Sequence, residues 1–131
     1  MPNVLIEVRK HYTADSEQRL METVHDALVT AFGLRPQDRC VKLVAYEPNR
    51  FLCPTHLALP ELYTQIAIEC FSGRSLEAKR NLYRTIVGNL EELGIPRDHV
   101  QIMIREIPPE NWGIRGGQAA CDLELGYRVD V

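Results

Sequence analysis

The sequence predicts an α/β (α+β) fold in which two tandem β-α-β units build one four-stranded mixed sheet with both helices on one face. The first observation behind this prediction is an internal repeat at an offset of about sixty residues. Residues 2–48 and 64–112 each show a strand, a helix and a strand pattern in that order. The second is that each unit has the length of a right-handed parallel crossover. The third is that both helix patterns end at a glycine that is followed shortly by a proline.

The first unit begins with MPNVLIEV, an apolar run that is typical of a buried strand. Thr13 is a good N-cap for the helix that follows. The helix carries a single apolar stripe at Met21, Val24, Leu28 and Phe32. It ends at Gly33, shortly before Pro36, and the β-forming run CVKLVAY then supplies the second strand.

The second unit repeats this organisation. TQIAIECF predicts a strand, and Ser75 occupies the same N-cap position as Thr13. The helical stripe consists of Tyr83, Ile86, Leu90 and Leu93. Gly94 and Pro96 mark the helix exit, and VQIMIREI alternates as a strand does.

The remaining segments lie outside the repeat. EPNRFLCPTHLALPEL has three prolines and no period, which is typical of a connector. We therefore predict one domain over 1–131, with a first β-α-β unit in 1–51 and a second in 62–131 that includes a C-terminal hairpin. The glycines of WGIRGG mark a tight turn. This turn either closes over a site with Trp112 as an apolar wall, or is a surface hairpin whose tryptophan packs on the core.

The composition narrows the class of protein. The chain has 131 residues, 45% of them hydrophobic, and a net charge of −3, which gives no electrostatic footprint for nucleic acid or an anionic membrane. We find no membrane-spanning run and no signal peptide pattern, so a cytoplasmic location is expected. The four cysteines include no CxxC pair, and the four histidines are scattered. We expect no metal site and no cofactor.

Two residues raise the question of chemistry. Pro2 stands at the start of a strand, where proline is tolerated. If Met1 is removed, however, Pro2 carries a secondary amine that the strand would hold in place as a candidate base. Arg74 precedes a helix N-terminus, where a cation opposes the helix dipole. A carboxylate ligand bound to Arg74 would explain why a cation stands at this unfavourable position. The alternative interpretation is that Arg74 is a solvated surface residue.

Three motifs together resemble the tautomerase superfamily, typified by 4-oxalocrotonate tautomerase. They are an N-terminal Pro2 heading a β-α-β unit, GRSLEAKR at the second helix, and WGIRGG after the last strand. The doubled unit and Asp38 in RPQDR make the chain most similar to the fused malonate semialdehyde decarboxylase branch. The resemblance covers nearly the whole chain and implies the tautomerase fold, a homotrimer and a small 2-oxo or 3-oxo acid as substrate.

The resemblance also implies roles for individual residues. Pro2, after removal of Met1, would be the catalytic residue, and Arg74 would bind the substrate carboxylate. Trp112 and Ile114 would form a hydrophobic wall, and Asp38 would position or activate water. The chain departs from the decarboxylase pattern at Ser72, where that branch carries a second arginine. This difference places malonate semialdehyde in doubt as the substrate.

Three functions remain open at this level. A neutral Pro2 would act as general base in the keto-enol tautomerisation of 2-oxo acids. A protonated Pro2 would act as general acid in a decarboxylase or hydratase, with Asp38 directing water. A ferredoxin-like small-molecule-binding module without catalysis has the same β-α-β pattern. The repeat also predicts that the sheet face opposite the helices is apolar and uncovered, which favours a homo-oligomer.

Overall fold

The computed structural model describes residues 2–131, and its centre is a four-stranded sheet with strand order β2-β1-β3-β4. The elements in chain order are β1 (Asn3–Arg9), α1 (Ala14–Phe32), β2 (Val41–Tyr46), β3 (Thr64–Phe71), α2 (Leu76–Glu92), β4 (Val100–Ile107), β5 (Gly113–Ile114) and β6 (Gln118–Ala119). β5 and β6 form a separate antiparallel hairpin after the repeat. The predicted α/β fold with a four-stranded mixed sheet is confirmed.

The sheet is mixed because the two units pair with each other in antiparallel orientation. β1 and β2 are parallel, as are β3 and β4, so each unit is a parallel crossover through its own helix. β1 and β3 pair in antiparallel fashion at the centre, with Ile6 opposite Ile66. The two helices also pack on each other. The internal repeat is therefore an approximate symmetry of the fold.

Both helices begin where the sequence predicts. The Thr13 side chain accepts a hydrogen bond from the Ser16 N–H at 3.2 Å, and Ser75 accepts one from the Ala78 N–H at 3.1 Å. α1 ends at Gly33, whose φ of 65° is the left-handed conformation that favours glycine. Capping thus satisfies backbone groups that would otherwise be left without partners.

The core lies between the helices and one face of the sheet. Its fully buried side chains include Ile6, Leu20, Leu28, Phe32, Ile66, Ile68, Leu82, Ile86 and Leu90. Leu20 and Leu82 lie deeper than the predicted Met21 and Tyr83, because each lies four residues before the next buried position of its helix, Val24 or Ile86. No helix within residues 2–131 is both long and apolar enough to cross a membrane.

The sequence predicts that the sheet face opposite the helices is apolar, but the structure shows polar side chains on it as well. One row across it is largely apolar: Lys42, Leu5, Ala67 and Met103. The adjacent row is mostly polar: Val44, Glu7, Gln65 and Gln101. Polar side chains are tolerated there because they bond to each other, as Gln65 Nε2 does to Gln101 Oε1 at 2.9 Å. We call these two rows the open face.

The connector between the units is attached at both ends. The Arg9 guanidinium donates two hydrogen bonds to the Phe51 carbonyl, at 2.8 and 2.7 Å. The buried His99 ring accepts the Leu59 N–H at Nε2, at 3.1 Å. Between these points Leu52 is 92% accessible, whereas Leu57 is buried. Each unit therefore holds its own end of the connector.

Candidate active site

Strand direction brings the predicted site residues to one end of the sheet. Pro2 and Asp38 precede the parallel strands β1 and β2, so both lie at the end where these strands begin. β3 and β4 run the opposite way, so Arg74 and Trp112, which follow them, lie at that same end. The topology therefore gathers residues from both units and from the C-terminal hairpin.

Pro2 is buried just before β1, where its missing N–H costs no ladder hydrogen bond. The β1–β3 register pairs Asn3 with Glu69, and one further step along it places Pro2 opposite Cys70. The removal of Met1, which a free amine at Pro2 requires, concerns a residue outside the described part of the chain. It stays a prediction.

Arg74 is buried, with 6% of its surface exposed. Its guanidinium stacks on the Phe32 ring at 4.4 Å from the ring centroid, and Nη1 donates to the Phe71 carbonyl at 3.4 Å. Nε and Nη2 are enclosed and have no hydrogen-bond partner among residues 2–131. Burial lowers the pKa of Arg74, and the nearby Cys70 and Tyr127 partly offset this effect. Unpaired buried donors on a cation are costly, which indicates a site prepared for an anion.

The C-terminal segment covers the turn that carries Arg74. The Ser75 N–H donates to the Val131 carbonyl at 3.1 Å. Gly73 has a φ of 133°, and a Cβ there would lie 3.1 Å from the Val129 carbonyl oxygen. Glycine is therefore required at this point for both conformation and close approach. The last residues of the chain thus help to remove Arg74 from solvent.

Phe71 links Arg74 to the predicted hydrophobic wall. The Trp112 ring meets the Phe71 ring edge-on, with centroids 4.8 Å apart. Trp112 is half-buried, and its carbonyl accepts the Ala120 N–H at 2.8 Å, which ties the hairpin to it. Ile114 lies in β5 and pairs with Gln118. The tryptophan therefore packs on the buried Phe71, as the surface-hairpin interpretation predicts, and its role as the wall of a site stays a prediction.

Asp38 is a buried carboxylate held by a neighbouring arginine. Arg35 Nε and Nη2 donate to its two oxygens at 2.9 and 3.0 Å. Asp38 is 8% exposed and lines a cavity of about 140 Å³ together with Ile114. Pro2, Arg74 and Trp112 are not part of that lining. Asp38 and Ile114 thus line one cavity, whereas Pro2, Arg74 and Trp112 share with them the same end of the sheet.

Four further residues, which the sequence prediction did not include, line this cavity beside Asp38 and Ile114. They are Arg35, Arg115, Leu125 and Tyr127. Burial raises the pKa of Tyr127, while Arg74 lowers it and Asp38 raises it. Tyr127 is therefore close enough to act on both the Arg74 region and the Asp38 cavity. Arg115 has a φ of 51° and donates to the Glu124 carbonyl at 2.9 Å. The WGIRGG motif could have indicated Arg115 from the sequence, whereas no sequence pattern indicated Tyr127.

Chemically, this end of the sheet holds a buried cation with unused donors, a compensated carboxylate and apolar walls. These groups suit a small organic anion that reacts away from bulk water. Within residues 2–131 no cluster of three or more histidine, cysteine or acidic side chains is arranged to hold a metal ion.

Comparison with known proteins gives the class that this fold and site define. The sequence model of a family described as a tautomerase enzyme matches residues 38–115. The chain therefore belongs to this tautomerase family, and the resemblance seen in the sequence is confirmed.

Individual relatives add detail. The chain is 26% identical over 125 residues to the probable tautomerase YusQ of Bacillus subtilis (strain 168), covering 91% of this chain and 97% of that protein. It is 25% identical to FG41 malonate semialdehyde decarboxylase inhibited by 3-bromopropiolate, with a TM-score of 0.80, covering 89% of this chain and 92% of the other. A wild-type fused 4-OT described as an asymmetric trimer has a TM-score of 0.80 at 20% identity, covering 92% and 97%, and shows the fold alone.

Proposed function

We propose that this protein is a tautomerase that uses Pro2, freed by removal of Met1, as a general base in the keto-enol tautomerisation of 2-oxo acids. The observation that carries the proposal is the buried Arg74 guanidinium with two unpartnered nitrogens. A cation in this state is best explained by a carboxylate that completes its hydrogen bonds. It lies at the end of the sheet where Pro2 precedes β1.

The proposed reaction consumes no net proton. The neutral Pro2 amine removes a proton from one atom of the bound 2-oxo acid or its enol, and the resulting ammonium returns that proton to another atom. Arg74 holds the carboxylate, so the reacting atoms stay near Pro2. Trp112 and Ile114 supply apolar surface that keeps water from the intermediate.

The surroundings of Pro2 favour the neutral amine. A free α-amino group has a pKa of about 7.7 to 8.0. Burial disfavours the charged form, and the positive charge of Arg74 acts in the same direction. Asp38 would act the opposite way, but its charge is compensated by the paired Arg35. We therefore expect the pKa of the Pro2 amine to lie below that of an exposed terminus.

The test is the pH dependence of kcat/KM with the enol form of an aryl 2-oxo acid, measured beside an NMR titration of the ¹⁵N-labelled Pro2 amine. A base must be deprotonated, so the rate should rise with pH through an apparent pKa of about 6 to 7. The NMR titration should give the same value. A pKa of about 9, with activity falling as the amine loses its proton, would contradict the proposal.

A decarboxylase or hydratase is the second candidate, and Asp38 is the observation that favours it. A buried carboxylate that lines a cavity beside Ile114 could direct water at a polarised 3-oxo acid. Pro2 would then stay protonated and act as general acid. Ser72 counts against this candidate, because it leaves Arg74 as the single arginine of that turn. The pH profile described above separates the two candidates.

We further propose that the chain forms a homotrimer through the open face. The row of Leu5, Ala67 and Met103 gives apolar contact area, and Met103 alone is 51% exposed. The polar row beside it can fix the register between subunits. Light scattering should therefore report a mass three times that of the chain. A stable monomer at micromolar concentration would contradict this proposal.

A further inference from the structure

Arg74 has no carboxylate partner within residues 2–131, although an acidic side chain lies beside the turn that carries it. The Ser72 N–H, at the start of this turn, donates to the Ile107 carbonyl at the end of β4, at 3.2 Å. Glu106 precedes Ile107 and pairs with Cys70 in the parallel β3–β4 register. Neighbouring strands are about 4.8 Å apart, so β4 brings the Glu106 carboxylate close to the end of β3, which leads into Arg74.

Glu106 lies on the helix side of the sheet, where Arg74 stacks on Phe32 of α1. Its strand partner Cys70 is buried on that side, and paired residues share a face. Lys79 of α2 meets Glu106 there, with Nζ 2.6 Å from Oε1. The Lys79 hydrogen bond is the main reason why the pKa of Glu106 is lowered, and the positive charge of Arg74 adds to it. Glu106 thus lies near two cations and is held by one of them.

Asp38, at the same end of the sheet, is likewise paired with a cation other than Arg74. Arg35 donates to both of its carboxylate oxygens, at 2.9 and 3.0 Å. Both acidic residues are therefore occupied, while Nε and Nη2 of Arg74 find no partner in the described part of the chain. A buried cation beside a free carboxylate would pair with it, since the pair offsets the cost of burial. The contact of Lys79 with Glu106 therefore leaves Arg74 available to an external anion.

We propose that Lys79 is a positioning residue for the carboxylate site: by holding Glu106, it keeps Arg74 free to bind the substrate. The inference rests on the proposed function only in that Arg74 binds a carboxylate, and it is independent of the chemistry at Pro2. Lys79 contacts neither the substrate nor the reacting atoms. Without Lys79, the Glu106 carboxylate turns to the guanidinium and competes with the substrate for the same two donors.

The experiment measures the dissociation constant of trans-cinnamate by isothermal titration calorimetry of the intact chain. Cinnamate carries a carboxylate but no 2-oxo group, so its binding reports on Arg74 whether or not Pro2 is the base. Arg74→Gln should weaken binding by about tenfold or more. Lys79→Met should weaken it by about fivefold or more, because the released Glu106 occupies Arg74. In Lys79→Met/Glu106→Gln the competitor is absent, so binding should return to within about twofold of the wild type.

Two single variants separate this competition from a general effect of charge. Glu106→Gln removes a carboxylate that Lys79 already holds, so it should bind cinnamate within about twofold of the wild type. A long-range charge effect would instead tighten binding in Glu106→Gln by as much as Lys79→Met weakens it. Arg80→Met removes an exposed cation of the same helix that pairs with Glu77, and it should bind as the wild type does. Circular dichroism should show every variant folded.

The outcomes distinguish the role of Lys79 from the proposed function. If the wild type does not bind cinnamate at millimolar concentration, or Arg74→Gln binds it equally well, Arg74 is not an open carboxylate ligand and both are overturned. If Arg74→Gln loses binding but Lys79→Met does not, only the role of Lys79 is overturned. The same follows if the double variant stays as weak as Lys79→Met, if Glu106→Gln tightens binding as the charge effect requires, or if Arg80→Met weakens it equally.

Discussion

The two β-α-β units share a backbone but differ in what they carry at equivalent positions. Each has a parallel crossover and a capped helix, and they meet through the antiparallel pairing of β1 with β3. Thr13 and Ser75 cap their helices in the same way. Yet Pro2 in the first unit corresponds to Thr64 in the second, and Tyr12 corresponds to Arg74. The two units therefore have the same backbone arrangement, whereas the candidate catalytic residues are distributed between them.

This division has a structural reason. Thr64 is fully buried in mid-chain, and its hydroxyl donates to the Leu62 carbonyl at 2.9 Å, so it has a purely structural contact and no amine. Arg74 lies instead at the end of the sheet where Pro2 begins. Because β1 and β3 are antiparallel, the start of one unit meets the strand end of the other. One active site therefore needs both units, and one site per chain is expected.

The largest expected effect comes from substituting Pro2 and its equivalent in the second unit, Thr64, one at a time. Pro2→Ala should lower kcat/KM by about 10² to 10⁴, since it alters the proposed base. Thr64→Val should leave kcat/KM unchanged and cost about 0.5 to 1.5 kcal/mol of unfolding free energy, because one hydrogen bond is lost. Steady-state kinetics and urea unfolding measure both effects.

The oligomer mass of each variant serves as the control. If Pro2→Ala keeps full activity with folding and mass intact, Pro2 is not the base and the proposed mechanism is wrong. If Thr64→Val loses activity equally, the proposed division between the units is wrong.

The second effect concerns the equivalent pair Arg74 and Tyr12. Arg74→Gln should weaken carboxylate binding by roughly 2 to 5 kcal/mol, because the substrate charge loses its desolvated partner. The change should appear mainly in KM. Tyr12→Phe, which removes only a hydroxyl at the far end of the sheet, should leave KM as it is. Equal KM values for Arg74→Gln and the wild type would exclude Arg74 as the carboxylate ligand.

The smallest effect tests an ion pair that the second unit has and the first lacks. Lys79 Nζ lies 2.6 Å from Glu106 Oε1, whereas Glu17 and Ala45 occupy the corresponding places. The hydrogen bond from Lys79 lowers the pKa of Glu106, and the same contact raises that of Lys79. The pair therefore stabilises the fold between the two titrations. Its contribution is lost as pH falls through the lowered pKa of Glu106, or rises through the raised pKa of Lys79.

Because both side chains remain partly exposed, we expect less than about 1 kcal/mol from this pair. Lys79→Met should lower the unfolding free energy by that amount at neutral pH, and the difference from wild type should vanish in acid. A difference that persists unchanged at low pH would show that lost packing, and not charge, is responsible.

The repeat made the fold predictable from sequence. Alternation in the strands, stripes in the helices and caps at Thr13 and Ser75 are local signals that occur twice, so each copy supports the other. The open face was predicted less well. Glu7 and Gln101 lie there, because a face that contacts solvent or a partner admits polar side chains that bond to one another.

The candidate site was predictable in part. Pro2 and Arg74 lie at one end of the sheet because β1 and β3 are antiparallel, an orientation that the predicted mixed sheet allows but that the two parallel crossovers do not decide. The contribution of Tyr127 was not predictable, since it comes from a tail without periodicity. Its position beside Asp38 depends on how that tail folds back over the second unit.

The attachment of the connector has a consequence for how the chain is held together. Arg9 binds the carbonyl of Phe51 within the first unit, and His99 binds the N–H of Leu59 within the second. The stretch between them crosses from one unit to the other, and the Phe51 ring packs on Tyr46 of the first unit and on Tyr63 of the second. Covalent linkage there acts as a tether that raises the effective concentration of one unit near the other. The affinity that joins them resides in the β1–β3 ladder and the packed helices.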